Sequence, residues 1–249
     1  MDIINYSGVT KKYNSWPRGN KVVALDDFSL QIEQGEVFGF LGPNGAGKST
    51  ALKMLLNFIY PDAGAVSLLG ISVSDRQARA LVGYLPENPY FYDYLTAEEI
   101  LWFGGKASGL SKNKIHERSE MLLRRMGLLS ASKRPLRSYS KGMVQRAGLA
   151  LALIHDPDVV VLDEPMSGLD PIGRKLVGDL ILELKSQGKT VFFSSHILTD
   201  VERFCDRAGI IVGGRLRLVG GLAELLSGEG TLEDIFMREV KAAEGGISL

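Results

Sequence analysis

The sequence has few of the features that mark a secreted, membrane-spanning or nucleic-acid-binding chain. Among its 249 residues Cys205 is the one cysteine, so no internal disulfide can form, which favours a reducing compartment. No stretch approaches the roughly 18 consecutive apolar residues of a membrane-spanning helix, and the first residues do not resemble a signal peptide. Lysine plus arginine and aspartate plus glutamate both number 29, so charge gives no case for a nucleic-acid partner.

The pattern along the chain predicts a mixed α/β fold with a helical insertion. Residues 1–40 are typical of short strands, and strand–helix alternation begins with the apolar run Val37–Leu41. Residues 90–155 instead carry three helical patterns separated by glycine and serine. Alternation resumes at Val159–Leu162. Because alternating strands and helices imply parallel strands with crossover helices, we predict a mostly parallel sheet.

A glycine-rich segment follows the first of these strands and opens a predicted helix. It matches the spacing G-x-x-x-x-G-K-[ST], and its residues are Gly42, Pro43, Asn44, Gly45, Ala46, Gly47, Lys48 and Ser49, with Thr50 next. Such a loop points backbone N–H groups at phosphate oxygens, and the helix N-terminus adds the positive end of a dipole. Lys48 would meet the β- and γ-phosphates of a nucleotide, and Ser49 would offer its hydroxyl to Mg²⁺.

Two acids, Asp163 and Glu164, end the apolar strand Val159–Leu162. Carboxylates at the edge of a buried parallel strand are costly unless they meet a cation or a substrate. Because consecutive strand residues point in opposite directions, we expect one acid to face Mg²⁺ and the next to face an attacking water. We assign Asp163 to the metal, through its water shell, and Glu164 to water activation.

Narrower motifs resemble those of the ABC ATPases. The segment Tyr139–Arg146 resembles the family's signature, usually Leu-Ser-Gly-Gly-Gln, and it precedes the acid pair as in that family. Ser167–Asp170, directly after the acids, resembles the family's D-loop. Ser194–His196, at the end of the next strand, resembles its switch-histidine segment. The motifs stand in the family's order, and the resemblance covers about residues 2–215.

This resemblance implies a P-loop NTPase core with a mostly parallel sheet, an N-terminal antiparallel β subdomain and a helical insertion. It implies one ATPase domain over residues 1–220. Within it, residues 1–89 and 156–220 would form the β subdomain and core, and residues 90–155 the helical subdomain with the signature. Residues 221–249 would be a short helical tail.

The resemblance also implies roles for residues around ATP. Ser140 would donate a hydroxyl hydrogen bond to the γ-phosphate held by the opposite subunit, and Gly142 would let the backbone approach it closely. His196 would contact the γ-phosphate and orient Glu164 and the water. Asp170 would organise the dimer seam and the opposite active site.

Three positions leave alternatives or depart from the family. Tyr13 resembles the aromatic residue that stacks on adenine, with Trp16 as a nearby rival, and either could instead serve packing. Glu87 stands where the family usually has a glutamine that binds Mg²⁺. A carboxylate can do the same with more charge. In the signature, Lys141 replaces a glycine and adds positive charge near the expected phosphate.

The resemblance further implies partners and a location. The expected assembly is a homodimer or heterodimer of ATPase subunits beneath a transmembrane permease on another chain, cytoplasmic and peripheral on the inner face of the membrane. Segments Leu85–Glu87, Tyr139–Met143 and Gly230–Phe236 resemble the ABC-2 or drug-exporter branch. Aromatic residues are frequent in Tyr90–Tyr94, and we interpret Tyr90, Phe91 and Tyr92 as a permease contact, whereas Trp102-Phe103 fits the core of the helical insertion at least as well.

Two alternatives make different demands on the sequence. A soluble ABC-type ATPase acting on ribosomes or DNA usually carries two ATPase units or a long coiled coil between Lys48 and Asp163. The sequence has one such unit and no sustained heptad run there. A small-molecule P-loop kinase would leave the signature, Asp170 and His196 unexplained.

Overall fold

The computed structural model describes residues 2–14, 21–227 and 230–244. Its strands are β1 Asp2–Asn14, β2 Lys21–Glu33, β3 Val37–Leu41, β4 Ala63–Leu68, β5 Ile71–Ser72, β6 Val82–Leu85, β7 Val159–Asp163, β8 Thr190–Ser195, β9 Arg207–Val212 and β10 Arg215–Gly221. Its helices are α1 Lys48–Leu55, α2 Arg76–Arg79, α3 Ala97–Ala107, α4 Lys112–Arg125, α5 Lys141–Leu153, α6 Pro171–Ser186, α7 Leu198–Phe204, α8 Leu222–Leu225 and α9 Leu232–Glu244.

The larger sheet has six strands in the order β10-β9-β3-β8-β7-β6. All neighbouring pairs are parallel except β9 with β10, which confirms the predicted mostly parallel sheet. Every residue of β3, β7 and β8 is buried. Parallel strands covered on both faces are apolar along their whole length, and this is why these three strands are recognisable in the sequence.

The smaller sheet has the order β2-β1-β4-β5, and its pairs are antiparallel. It confirms the N-terminal antiparallel unit, but β1 and β2 are 13 residues each instead of short strands. Their pairing shifts register at several points. Such bulges change which face successive residues occupy, so they break the alternation that reveals a strand in the sequence.

The tyrosine hydroxyl of Tyr6 connects this smaller sheet to α1. It is buried and donates a hydrogen bond of 2.9 Å to the carbonyl oxygen of Ala51. Burial raises the pKa of Tyr6 well above its ordinary value, so the group stays a donor. The helix that follows the glycine-rich loop is therefore held from both sheets.

Helices α3, α4 and α5 lie between β6 and β7 in the chain and correspond to the three helical patterns predicted within residues 90–155. Arg118 on α4 closes the end of α5 by donating to the carbonyl oxygens of Leu153 and Ile154, at 2.7 and 2.6 Å. Strand β6 was not predicted. A Cβ at Gly83 within it would collide with the carbonyl oxygen of Ala152, so glycine is required where the α5 backbone passes close to the strand.

None of the helices in the described ranges is both long and apolar enough to cross a membrane.

Candidate nucleotide site

The glycine-rich loop joins the carboxyl end of β3 to the N-terminus of α1. Gly47 precedes the helix at a φ of 110°, and no side chain caps this helix start. A Cβ at Gly47 would collide with the carbonyl oxygen of Ala24, so only glycine fits. The first N–H groups of α1 therefore have no side-chain cap, which is the arrangement that binds anions.

Lys48, the first residue of α1, is buried within this loop. Its Nζ donates hydrogen bonds to the carbonyl oxygens of Gly42 and Pro43, at 2.7 and 3.3 Å, and lies 3.9 Å from Oε1 of Glu164. Burial lowers the pKa of Lys48, while the nearby carboxylates of Glu164, Asp163 and Glu87 act to raise it. The loop thus holds a cation at the uncapped end of the helix.

Ser49 and Asp163 form the next contact across the site. The Ser49 hydroxyl donates a hydrogen bond of 3.3 Å to Oδ1 of Asp163. Within residues 2–14, 21–227 and 230–244, no three histidine, cysteine or acidic side chains are grouped so that they could hold a metal alone. Mg²⁺ usually takes only one or two protein oxygens and completes its shell with water and phosphate. The hydroxyl and carboxylate present here fit that requirement.

Glu164 follows β7 but does not continue its geometry. Its φ is 51°, in the left-handed region, so the expected strand alternation between the two acids is wrong. The turn brings the Glu164 carboxylate back to the same side, where Oε2 lies 2.8 Å from Nδ1 of His196 and also accepts the His196 backbone N–H at 3.3 Å. Both acids therefore face the start of α1, through Ser49 and Lys48 respectively.

A cleft of about 430 Å³ lies over the loop. Its lining residues come from separate parts of the chain and are Ala24, Asn44, Gly45, Ala46, Gly47, Lys48, Ser49, Thr50, Glu87, Glu164 and His196. The fold thus brings residues 44–50 of the phosphate loop together with Glu87, Glu164 and His196.

Seven predicted residues are not among the described residues that line the cleft. Gly42, Pro43 and Asp163 lie directly beside it, since they accept hydrogen bonds from Lys48 and Ser49. The other four are Tyr13, Ser140, Gly142 and Asp170. Tyr13 is 39% exposed near the end of β1, with Nζ of Lys11 5.8 Å from its ring centre. Trp16, its rival, lies outside the described residues.

The signature residues form the N-terminus of α5. Ser140 caps that helix, since its Oγ accepts the Met143 N–H at 3.2 Å. A Cβ at Gly142 would lie 3.3 Å from Cδ2 of Leu169, so this helix start packs against the turn after the acids. Asp170 ends that turn and caps α6 by accepting the Gly173 N–H at 2.7 Å. The capping role of Asp170 was not foreseen.

Sequence reasoning missed the part played by Ser194. Its hydroxyl is fully buried, donates to Oδ1 of Asp163 at 2.6 Å and accepts the N–H of Glu164 at 3.0 Å. A signal was available, because a serine in an otherwise apolar core strand needs hydrogen-bond partners.

A parallel sheet in which the loop after β3 forms an uncapped helix start, opposed by two acids at the end of β7 two strands away, defines a P-loop nucleoside-triphosphatase. The family model described as ABC transporter matches residues 25–167. The chain belongs to the ABC transporter family, as its motifs predicted.

Relatives with this architecture cover most of the chain. An uncharacterized ABC transporter ATP-binding protein of Synechocystis is 53% identical over 84% of this chain and 60% of its own length. The chain therefore spans less than two thirds of that relative. The Nod factor export ATP-binding protein I of Burkholderia lata is 38% identical over 91% of this chain and 73% of its own length.

Solved structures agree with the fold. The ATP-binding subunit of an ABC transporter superposes with a TM-score of 0.85 at 30% identity, covering 95% of this chain and 99% of that one. A bacterial ABC transporter cassette, solved as a dimer, gives a TM-score of 0.81 at 25% identity over 88% of this chain and 98% of that one.

Proposed function

We propose that this chain binds ATP with Mg²⁺ and hydrolyses it as the ATPase subunit of an ABC transporter, paired with a second ATPase subunit beneath a separate permease. The convergence of Lys48, the Ser49–Asp163 pair and the Glu164–His196 pair around one cleft supports this proposal. The cleft brings together a cation that can bind phosphate, two metal ligands and an oriented carboxylate, which are the groups that phosphoryl transfer needs.

The nucleotide phosphates would lie over the loop. N–H groups of residues 44–50 and the Lys48 ammonium would bind the β- and γ-phosphates, displacing the bonds that Lys48 now makes to loop carbonyls. Ser49 and Asp163 would hold Mg²⁺, with Glu87, which lines the same cleft, as a further oxygen ligand. When bound, the metal neutralises phosphate charge. Adenine would stack on Tyr13, whose ring is partly exposed.

Glu164 would act as the general base. Its buried carboxylate is held by His196 and faces Lys48, so it is oriented toward the γ-phosphate end of the loop. It would accept a proton from water as the water oxygen bonds to the γ-phosphorus and the bond to ADP breaks. His196 would keep the Glu164 carboxylate in place and contact the γ-phosphate.

The second half of the site would come from another ATPase subunit. Ser140 uses one lone pair to accept the Met143 N–H, and its own proton stays available for a phosphate oxygen. Because Ser140 and Gly142 do not line the cleft of their own chain, they suit a nucleotide bound by a partner. The solved cassette that forms a dimer supports a second ATPase subunit as the partner. Asp170, exposed at the adjoining turn, would lie at the seam.

A permease would bind the aromatic surface after Glu87. Tyr90 is 92% exposed and Phe103 is 73% exposed, and Tyr92 and Trp102 are exposed as well. The interpretation of Trp102 and Phe103 as core residues is therefore wrong. Tyr92 and Tyr94 stack at 5.6 Å between ring centres, and exposed aromatic residues of this kind favour a protein contact. Phe91 differs from the expectation, because it is half-buried and packs against the core. The relative that serves Nod factor export supports export as the direction of transport. The permease would hold this chain at the inner face of the membrane.

Replacing Glu164 tests the hydrolytic proposal. Glu164→Gln should give an ATP-bound dimer with turnover reduced at least about a hundredfold, because the amide cannot accept the proton. Phosphate release without any acceptor molecule and the molecular mass in ATP are the measurements. Glu36→Gln is the matched control, an equally buried acid that pairs with Arg207 outside the cleft. Turnover of Glu164→Gln at the parent rate would show that another group is the base.

Replacing the exposed aromatic residues tests the partner. Tagged parent chain, recovered from membranes, should bring down a polytopic protein. The double variant Tyr90→Ala, Tyr92→Ala should lose most of it and keep the ATPase rate of the isolated chain. Met121→Ala, an exposed apolar residue on α4, is the control. Equal recovery by parent and double variant would remove this surface from the interface.

A further inference from the structure

Ser194 occupies a special position in the central sheet. It is the penultimate residue of β8, it is fully buried, and the parallel register places it opposite Asp163 on β7. Hydroxyl groups in such a core are destabilising unless they are hydrogen-bonded. Both of its hydrogen bonds go to the acid pair.

The two bonds use opposite ends of one hydroxyl. The hydroxyl donates a hydrogen bond of 2.6 Å to Oδ1 of Asp163, and its oxygen accepts a hydrogen bond of 3.0 Å from the N–H of Glu164. A single atom therefore fixes the side chain of one acid and the main chain of the next. No aliphatic side chain can do either.

Each bond constrains something that the site needs. Oδ1 of Asp163 also accepts from Ser49, so Ser194 holds the carboxylate in the rotamer that meets the start of α1. Glu164 sits at a φ of 51°, a region that non-glycine residues adopt only when neighbouring groups hold them there. The bond to its N–H is one such constraint, and this φ turns the Glu164 carboxylate toward Lys48 and His196.

We propose that Ser194 is a positioning residue that couples the metal-binding carboxylate of Asp163 to the water-activating carboxylate of Glu164. Ser194 is fully buried and both hydrogen bonds of its hydroxyl go to the acid pair, so it acts through the two acids and not on the nucleotide. The inference rests on the proposed ATPase function and adds to it a residue that holds both acids in their working positions. Displacing a catalytic group by roughly 1 Å can lower the rate about a hundredfold.

A matched pair of variants separates the hydroxyl from the shape of the side chain. Ser194→Thr keeps the hydroxyl. Ser194→Val has nearly the shape of the threonine variant but lacks the hydroxyl, and both residues suit a strand. We expect Ser194→Val to lower kcat about tenfold to a hundredfold at saturating ATP and Mg²⁺, and Ser194→Thr to stay within about threefold of the parent. Ser194→Ala repeats the test without added methyl groups if the valine variant does not fold.

A second measurement does not depend on turnover. Titration calorimetry would compare ADP affinity with Mg²⁺ and in its absence. In Ser194→Val and Ser194→Ala the gain that Mg²⁺ confers should shrink about fivefold or more, because Asp163 is no longer held, while ADP affinity without Mg²⁺ should stay near the parent value. In Ser194→Thr the gain should persist.

Thr190→Val is the control for losing any buried hydroxyl. Thr190 lies on the same strand, is fully buried and accepts the Gly35 N–H at 2.9 Å, at the end away from the acids. It should lose stability to denaturant and leave the Mg²⁺ gain and kcat within about twofold. The proposal is overturned if Ser194→Val and Ser194→Thr change kcat and the Mg²⁺ gain in ADP affinity to the same extent. It is also overturned if Thr190→Val shows the same loss of the Mg²⁺ gain.

The two proposals fail in different ways. If the parent chain hydrolysed no ATP in any dimeric state, the proposed function would be wrong. The Mg²⁺ gain in ADP affinity would still decide whether the Ser194 hydroxyl holds Asp163, because that comparison needs no hydrolysis.

Discussion

Helices α1 and α5 are both expected to direct their N-termini at phosphate, yet the two helix starts are built differently. Helix α1 begins after Gly47, has no side-chain cap, and has a buried lysine as its first residue. Helix α5 begins after Ser140, which caps it through the Met143 N–H, and its first residue, Lys141, is exposed.

The difference lies in what each helix start needs from outside. The N–H groups of α1 lack a side-chain partner and face a cleft, so a bound anion satisfies them. The start of α5 is satisfied by Ser140 whether or not phosphate is present. One half of the proposed site can therefore bind nucleotide without the partner, while the other half can join and leave with the partner subunit.

Removing the cation at the uncapped helix should have the largest effect. In Lys48→Met, phosphate release should fall at least about a hundredfold, because a buried charge aimed at the transferring phosphate is lost. The free energy of unfolding of the nucleotide-free chain should change little, since burial already disfavours the ammonium, as its lowered pKa indicates. Lys53→Met, at an exposed position of the same helix, is the control. A Lys48→Met variant that retained turnover would contradict the assignment of α1.

Adding charge at the capped helix should have the next largest effect. Aspartate caps helices as well as serine does, so Ser140→Asp should leave α5 intact. Its carboxylate would repel the γ-phosphate on the partner, and the ATP-dependent dimer should weaken at least about tenfold. ADP binding by the monomer should be unchanged, because Ser140 does not line its own cleft. Sedimentation in the Glu164→Gln background measures the dimer, and an undiminished dimer would place Ser140 away from the phosphate.

Removing the cap alone should have the smallest effect. Ser140→Ala and Ser111→Ala each remove an N-cap serine, from α5 and α4 respectively. Both should lower the free energy of unfolding by about 1 kcal/mol. Only Ser140→Ala should also reduce turnover, by several-fold, because only its hydroxyl is expected to reach nucleotide. Equal turnover in the two variants would mean that Ser140 serves the helix and nothing else.

Much of the site was predictable because its motifs are local. The loop at Gly42–Ser49 is recognisable by spacing, and the acids by their place after a buried strand. Tyr13 and Trp102, two of the aromatic residues with open alternatives, illustrate the opposite case. Tyr13 lies outside the cleft lining, and Trp102 is exposed where a core position fitted the pattern equally well. Neither outcome is visible in the sequence, because exposure depends on which elements pack nearby.

The sequence by itself determined the local elements of the site. These are a glycine before Lys48 that has no side chain to cap the helix, an apolar strand followed by two acids, and the order of motifs that identifies the family. Only the tertiary structure decided how those elements meet. It turned Glu164 into the left-handed region so that both acids face one side, and it placed Ser194 between them. The reason is physical: spacing along one segment sets local geometry, whereas contacts between β7 and β8 depend on the register of strands that a helix separates in the chain.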